Sequence, residues 1–154
     1  MQKSEKNFLE KLADAIPGLS GYRGRDESRE TDKRLREYLG TRIDRARGAL
    51  DDLKLTLVNG GELAALNDVG LLGRQLQQLG DSIRFATYGY SGIFDQMKVR
   101  EAELDALYQH DLKLVEAVEA LDRAVEGHDL AAARAAFAEA DGLFVKRKTL
   151  FDAP

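Results

Sequence analysis

Apolar residues recur three and four positions apart along most of the second half of the chain. Apart from the single polar residue Asp111, the series is broken only at Gly127-His128-Asp129. This spacing is typical of the buried stripe of an amphipathic helix. It predicts two long helices joined by a tight turn, with Leu114 and Phe137 in the core and Asp129 as an N-cap. The stripe consists of Leu104, Leu107, Leu114, Val118, Leu121, Val125, Leu130, Ala133, Phe137, Ala140, Phe144 and Phe151.

The first half of the chain contains two further helical stripes. One helix is predicted from near Asp26 to Asn59-Gly60-Gly61, where a glycine suits the left-handed position that follows a helix. The next is predicted from Glu62 to about Tyr88, with Leu63 as the first inward residue. Short connections between long helices favour antiparallel neighbours, so the four helices are expected to alternate in direction.

The predicted fold is therefore all-α. Residues 25–154 are expected to form an antiparallel up-down-up-down four-helix bundle with coiled-coil-like seams. Residues 1–24 are expected to form an additional short N-terminal amphipathic helix, which ends at Pro17, and a Gly-rich linker. This helix would pack on the bundle or on a partner. The alternative is a peripheral membrane-associated protein that docks through residues 1–16.

Alternating helix directions bring aromatic and basic residues together at one pole of the predicted bundle. Two helix N-termini also lie there, and their free N–H groups suit an anion. These features predict a non-catalytic adaptor or scaffold that binds a protein partner at this aromatic/basic pole. The alternative is that the aromatic rings plug the end of the bundle. The proposed partner-binding residues are Tyr22, Arg23, Arg84, Tyr90, Phe94 and Arg100, and the sequence places Lys146, Arg147 and Lys148 nearby.

Two sets of residues fit poorly with simple helix packing. Gly70, Gly73 and Gly80 lie inside the second long helix, where each glycine is less favourable than alanine by about 1 kcal/mol. Close approach by a neighbouring helix is the preferred explanation, and a hinge or a ligand groove is the alternative. Apolar residues off the main stripes offer a second surface for the N-terminal helix or for a second copy of the chain, as in a homodimer. They are Leu55, Val58, Leu71, Leu112 and Val115.

Composition excludes several classes of protein. The chain has no cysteine, so disulfides and thiolate chemistry are absent. No apolar run approaches the roughly 18 residues of a membrane span, and the N-terminus does not resemble a secretory signal. We therefore expect a cytoplasmic protein. The net charge of −4 argues against general nucleic-acid binding.

Candidate catalytic groups are few, because His110 and His128 are the two histidines in the chain. The Glu-x-x-His pattern of di-metal helical bundles is absent, and no metal or cofactor site is predicted. Asp111 interrupts the apolar stripe next to His110. We expect Asp111 to be a polar residue that sets the packing register, paired with an arginine, rather than a catalytic base.

The spacing of Arg123 and His128 resembles the Arg-x4-His motif of helical ribonucleases of the HEPN type. That resemblance implies a nuclease in which both residues lie at a helix end in a dimer cleft. Ala124 departs from the family's usual polar residue, and the acidic neighbours Asp122 and Glu126 would repel RNA. A small ribonuclease is therefore kept as an alternative function.

A second resemblance covers residues 16–125. Ile16-Pro17-Gly18, Gly21-Tyr22 and the segment from Ala86 to Phe94 are similar to signatures of a group of bacterial helical proteins of unknown function. The resemblance implies a bacterial cytoplasmic protein and implies no activity.

Overall fold

The structure, a computed structural model, describes residues 11–14, 16, 25–86 and 101–149. Four long helices account for most of these residues: α1 (Arg25–Asn59), α2 (Leu66–Arg84), α3 (Glu101–Glu126) and α4 (Leu130–Thr149). A single 3-10 turn, Leu63–Ala65, precedes α2, and residues 11–14 are helical. The prediction of an all-α helical bundle is confirmed.

Two helical hairpins form the bundle. In the first, α1 and α2 run antiparallel, with Ile43 beside Gly80 and Leu50 beside Gly73. In the second, α3 and α4 run antiparallel, and Arg147 on α4 bonds to Asp111 on α3.

The two hairpins meet through parallel helices. Tyr38 and Arg45 on α1 bond to Glu119 and Glu126 on α3, so the sequence separation is 81 in both pairs. The order around the bundle is therefore α2, α1, α3, α4, and the consecutive helices α2 and α3 share little contact. The predicted alternation of helix direction is confirmed, but α2 and α3 are not packed against each other as expected, because α1 and α4 lie between them.

The core receives apolar residues from all four helices and from the N-terminal segment. Leu12 and Ile16 are fully buried in this core, which confirms packing of that segment on the bundle. Leu114 is buried as predicted, whereas Phe137 is only partly buried. The prediction of a core position for Phe137 is wrong because its side chain lines a surface groove between α2 and α4.

Two predictions of side-chain position are also wrong. Val115 was expected on a surface but is buried, because α1 packs against that side of α3. Leu63 was expected inside but is 63% exposed, because the chain forms a 3-10 turn there and the α-helix starts at Leu66. This helix ends at Arg84 rather than Tyr88, which lies outside the described residues.

The end of α1 is closed by a glycine in the left-handed region. Gly61 has a φ of 74° and donates to Val58 O at 3.1 Å, while Glu62 N donates to Leu57 O at 2.9 Å. This pair of bonds is the Schellman arrangement, which satisfies carbonyls at a helix C-terminus. The predicted role of glycine in this turn is confirmed.

The end of α3 uses the same pair of bonds with a histidine in the left-handed position. His128 has a φ of 57° and donates to Val125 O at 3.0 Å, and Asp129 N donates to Ala124 O at 2.9 Å. Asp129 Oδ1 then accepts from Ala132 N at 3.0 Å, so Asp129 is the N-cap of α4 as predicted.

Candidate functional site

The predicted aromatic/basic pole falls largely outside the described residues. Tyr22, Arg23, Tyr90, Phe94 and Arg100 lie there, and so the structure says nothing about them.

Arg84 is the one predicted partner-binding residue that the structure describes. Its Nη2 donates to Asp44 Oδ2 at 2.6 Å, and its side chain crosses Gly40. A Cβ at Gly40 would lie 2.6 Å from Arg84 Nε, so the glycine makes room for this arginine. Arg84 thus binds a carboxylate of its own chain at the edge of a groove.

That groove lies between α1 and α2 and has a volume of about 450 Å³. Its floor contains Leu50 and Val69, and charged residues line its sides. The lining consists of Asp44, Arg47, Gly48, Leu50, Asp51, Lys54, Val69, Gly70, Gly73, Arg74 and Gln77.

Three helical glycines line the groove without being needed for helix packing. A Cβ at Gly48 would meet no atom within 4 Å, and at Gly73 the nearest atom would be Leu50 Cδ1 at 3.9 Å. At Gly70 the nearest atom would be Arg74 Nη1 at 3.7 Å. The explanation by close helix approach is therefore wrong for Gly70 and Gly73. Helix packing accounts for Gly80 alone, where a Cβ would lie 3.4 Å from Ile43 Cγ2.

Only some of the charged side chains around the groove form ion pairs within the described part of the chain. Asp44 pairs with Arg84, and more loosely with Arg47 at 3.5 Å. Asp51 and Arg74 form no ion pair within the part of the chain that the structure describes. Both signs of charge thus remain open to a ligand.

Two exposed apolar residues extend the groove along α1. Leu55 is 61% exposed and Val58 is 48% exposed. Positions 48, 51, 55 and 58 are spaced three and four apart, so they share one side of the helix. The groove together with Leu55 and Val58 is called the α1–α2 face below. Sequence reasoning missed Gly48, Asp51 and Arg74 because nothing local distinguishes them from a solvated helix surface.

A buried ion network lies on the other side of α1. Arg147 is 1% exposed, and its Nε donates to Asp111 Oδ1 at 2.6 Å. Its Nη2 bonds to Asp111 Oδ2 at 3.1 Å and to Asp32. The predicted pairing of Asp111 with an arginine is confirmed. The placement of Arg147 in a basic surface cluster is wrong, because two carboxylates draw it into the core.

This network reaches the end of α2 through Arg36. Arg36 Nε donates to Asp32 Oδ2 at 2.9 Å, and Arg36 Nη1 donates to the backbone oxygen of Arg84 at 2.9 Å. Burial raises the pKa of Asp111, and the charge of Arg147 opposes that rise. The network joins all four helices and presents no exposed reactive group, so its chemistry is structural.

His110 takes no part in an acid–base pair with Asp111. Its Nε2 lies 2.7 Å from the backbone oxygen of Leu143, and because a carbonyl only accepts, this nitrogen donates. The bond ties α3 to α4.

A second polar cluster sets the register of the parallel helices α1 and α3. Tyr38 Oη donates to Glu119 Oε2 at 3.0 Å, and Arg42 Nη2 lies 3.0 Å from Asp122 Oδ2. Burial raises the pKa of Asp122, while nearby Arg42 lowers it. Arg42 and Arg45, one helical turn apart on α1, pair with Asp122 and Glu126, one turn apart on α3. This complementarity is visible only after α1 and α3 are known to be neighbours.

Arg123 and His128 lie near the end of α3, and both are exposed. The nearby carboxylates are engaged elsewhere, since Glu126 Oε1 bonds to Arg45 Nη2 at 2.9 Å. The described residues contain no group of three metal-ligating side chains, and none of their helices is long and apolar enough to cross a membrane.

Comparison of the chain with protein-family models, with curated proteins and with solved structures gives no match. The two resemblances inferred from the sequence therefore stay predictions.

Proposed function

We propose that this chain is a non-catalytic helical adaptor or scaffold that binds a protein partner through the α1–α2 face. The observation that carries this proposal is the groove lined by Gly48, Gly70 and Gly73. Alanine at each position would favour the helix by about 1 kcal/mol. A Cβ there would meet no close neighbour. Glycine at these three positions therefore disfavours the helix and leaves the groove open.

The character of the groove favours a protein ligand. Its rim carries both carboxylates and cations, and Leu55 and Val58 add exposed apolar surface at one end. A mixed polar rim next to apolar side chains is typical of protein–protein interfaces. Nucleic acid would require a predominantly basic surface, whereas this chain has a net charge of −4.

The predicted aromatic/basic pole belongs to the same proposal. Arg84 connects the two surfaces, because it ends α2 and holds Asp44 at the rim of the groove. We propose that Tyr22, Arg23, Tyr90, Phe94 and Arg100 extend the binding surface beyond the groove. The proposed setting is the bacterial cytoplasm.

A capture experiment with matched variants tests this function. Wild-type chain, Gly48→Leu and Gly142→Leu are used as bait in a lysate of the native host. Gly48 and Gly142 both lie on helices with no atom within 4 Å of a Cβ position, and only Gly48 lines the groove. We expect a partner retained by the wild type and by Gly142→Leu to be lost with Gly48→Leu. Identical retention by all three baits would contradict the proposal.

A ribonuclease of the HEPN type is the second candidate, supported by the exposure of Arg123 and His128 at the end of α3. This exposure leaves both side chains open to a substrate. RNA cleavage that disappears in an Arg123→Ala, His128→Ala variant would favour the nuclease over the adaptor.

A further inference from the structure

We infer that the partner of the α1–α2 face is a second copy of this chain, bound in an isologous dimer. The inference rests on the proposed function and names the ligand of the proposed site. It follows from which charged and apolar residues a two-fold axis would bring together when this face packs against the same face of a second copy.

The register of the first hairpin fixes the height of each residue along the bundle. Leu50 lies beside Gly73, and Ile43 lies beside Gly80. In both pairs the residue numbers have the same sum, as expected for antiparallel helices. Asp51 on α1 therefore lies at nearly the same height as Arg74 on α2, on the opposite side of the groove.

A two-fold axis parallel to the helices would place α1 of one copy against α2 of the other at unchanged height. Asp51 would then face Arg74 of the second copy, and the symmetry would repeat this pair. Neither side chain has an ion-pair partner within the described part of its own chain. The face is thus complementary in charge to itself, as an isologous interface requires.

The same two-fold axis would also bring exposed apolar residues of the two copies together. Leu55 and Val58 would lie opposite the start of α2 of the second copy, where Leu63 is 63% exposed. The glycines between these ends would let the helices of the two copies approach closely, because no side chain separates the backbones. One symmetry operation therefore covers Leu55, Val58 and Leu63 and pairs Asp51 with Arg74.

Sedimentation equilibrium of the full chain over a wide concentration range tests the inference. We expect a reversible dimer for the wild type. Asp51→Arg and Arg74→Asp should each raise the dissociation constant by about tenfold or more, because each places like charges together twice. An equimolar mixture of these two variants should restore association, since the altered charges then match across the interface.

Gly48→Leu and two control variants complete the experiment. Gly48→Leu should abolish the dimer while leaving the melting temperature of the monomer unchanged or higher. Gly142→Leu and Glu116→Arg are exposed changes outside the face and should leave the dissociation constant unaltered.

A wild-type chain that stays monomeric up to millimolar concentration would overturn the inference. So would a dimer that is insensitive to Asp51→Arg, Arg74→Asp and Gly48→Leu, or a mixture that fails to restore association. These results are distinct from failure of the proposed function. A monomeric chain that loses a captured partner on Gly48→Leu would keep the groove as a binding site and exclude the second copy as its ligand.

Discussion

Charged side chains are buried and paired on one side of α1 and lie open along a groove on the other side. On the side toward α3 and α4, Arg147 and Asp111 are buried and bonded to each other. On the side toward the α1–α2 face, Asp51 and Arg74 flank an open groove and form no described ion pair. The first arrangement removes its charges from water and ties helices together, while the second leaves its charges available.

This contrast separates residues that hold the fold from residues that are open to function. A buried ion network pays a desolvation penalty and is stable only when every partner is present. An exposed pair contributes little to folding, so its residues are free to serve an interface. The contrast therefore predicts that substitutions on the two sides of α1 will change the free energy of unfolding by different amounts and in different directions.

The largest effect is expected from removing the buried arginine. Arg147→Met should lower the free energy of unfolding by about 3–5 kcal/mol, because Asp32 and Asp111 would stay buried without their cation. Arg74→Met is the matched change on the open side and should alter stability by at most about 0.5 kcal/mol. Urea unfolding of both variants measures the difference, and similar losses would remove the distinction between the two sides.

Replacing either of two glycines on α1 with alanine should change the free energy of unfolding in opposite directions. Gly48→Ala should raise the free energy of unfolding by about 1 kcal/mol, because the new methyl group meets no atom within 4 Å. Gly40→Ala should lower it by about 1–2 kcal/mol, because a Cβ would lie 2.6 Å from Arg84 Nε and 3.0 Å from its Cγ and would force this side chain out of its place on α1. Thermal unfolding of the two variants gives the comparison, and a gain at both positions would mean that Arg84 shifts without loss.

The turns that connect the two helices of each hairpin allow a further comparison of stability. His128→Gly should raise stability by about 1 kcal/mol, because it relieves a left-handed conformation that disfavours a side chain. Gly61→His should lower stability by a similar amount at the other turn, where the φ is 74°. Chemical unfolding checks both changes. Equal stability of His128→Gly and wild type would show that other contacts of the histidine compensate for the strain.

The smallest effect is a dependence on pH from Asp111. Its pKa is raised in the folded state, so the folded chain binds this proton more tightly than the unfolded chain does. The contribution of Asp111 to the free energy of unfolding is therefore complete at a pH below the pKa of this carboxyl in the unfolded chain. It is lost as the pH rises through the pKa of the same carboxyl in the folded chain. The stability advantage of wild type over Asp111→Asn should therefore shrink as the pH rises from the unfolded pKa of 3.8 toward neutrality. Unfolding curves over this range give the trend, and an advantage that grows with pH would refute it.

Local sequence signals predicted the helices and both turns. The apolar spacing marked Leu114 as a core residue, Asp129 as an N-cap and Gly61 as a helix stop, and the structure confirms all three. Each of these features depends on residues within one or two helical turns of each other. The same spacing misplaced Phe137 and Val115, because an apolar stripe does not specify which neighbour covers each of its edges.

The sequence by itself determined the number of long helices, their alternating direction and the presence of an arginine partner for Asp111. Only the tertiary structure decided that α1 lies between α2 and α3, that Arg147 is this partner, and that Gly48, Gly70 and Gly73 line an open groove. The physical reason is distance along the chain. Helix formation is governed by residues three and four apart, whereas the burial of a charge or the opening of a groove depends on which distant helices meet.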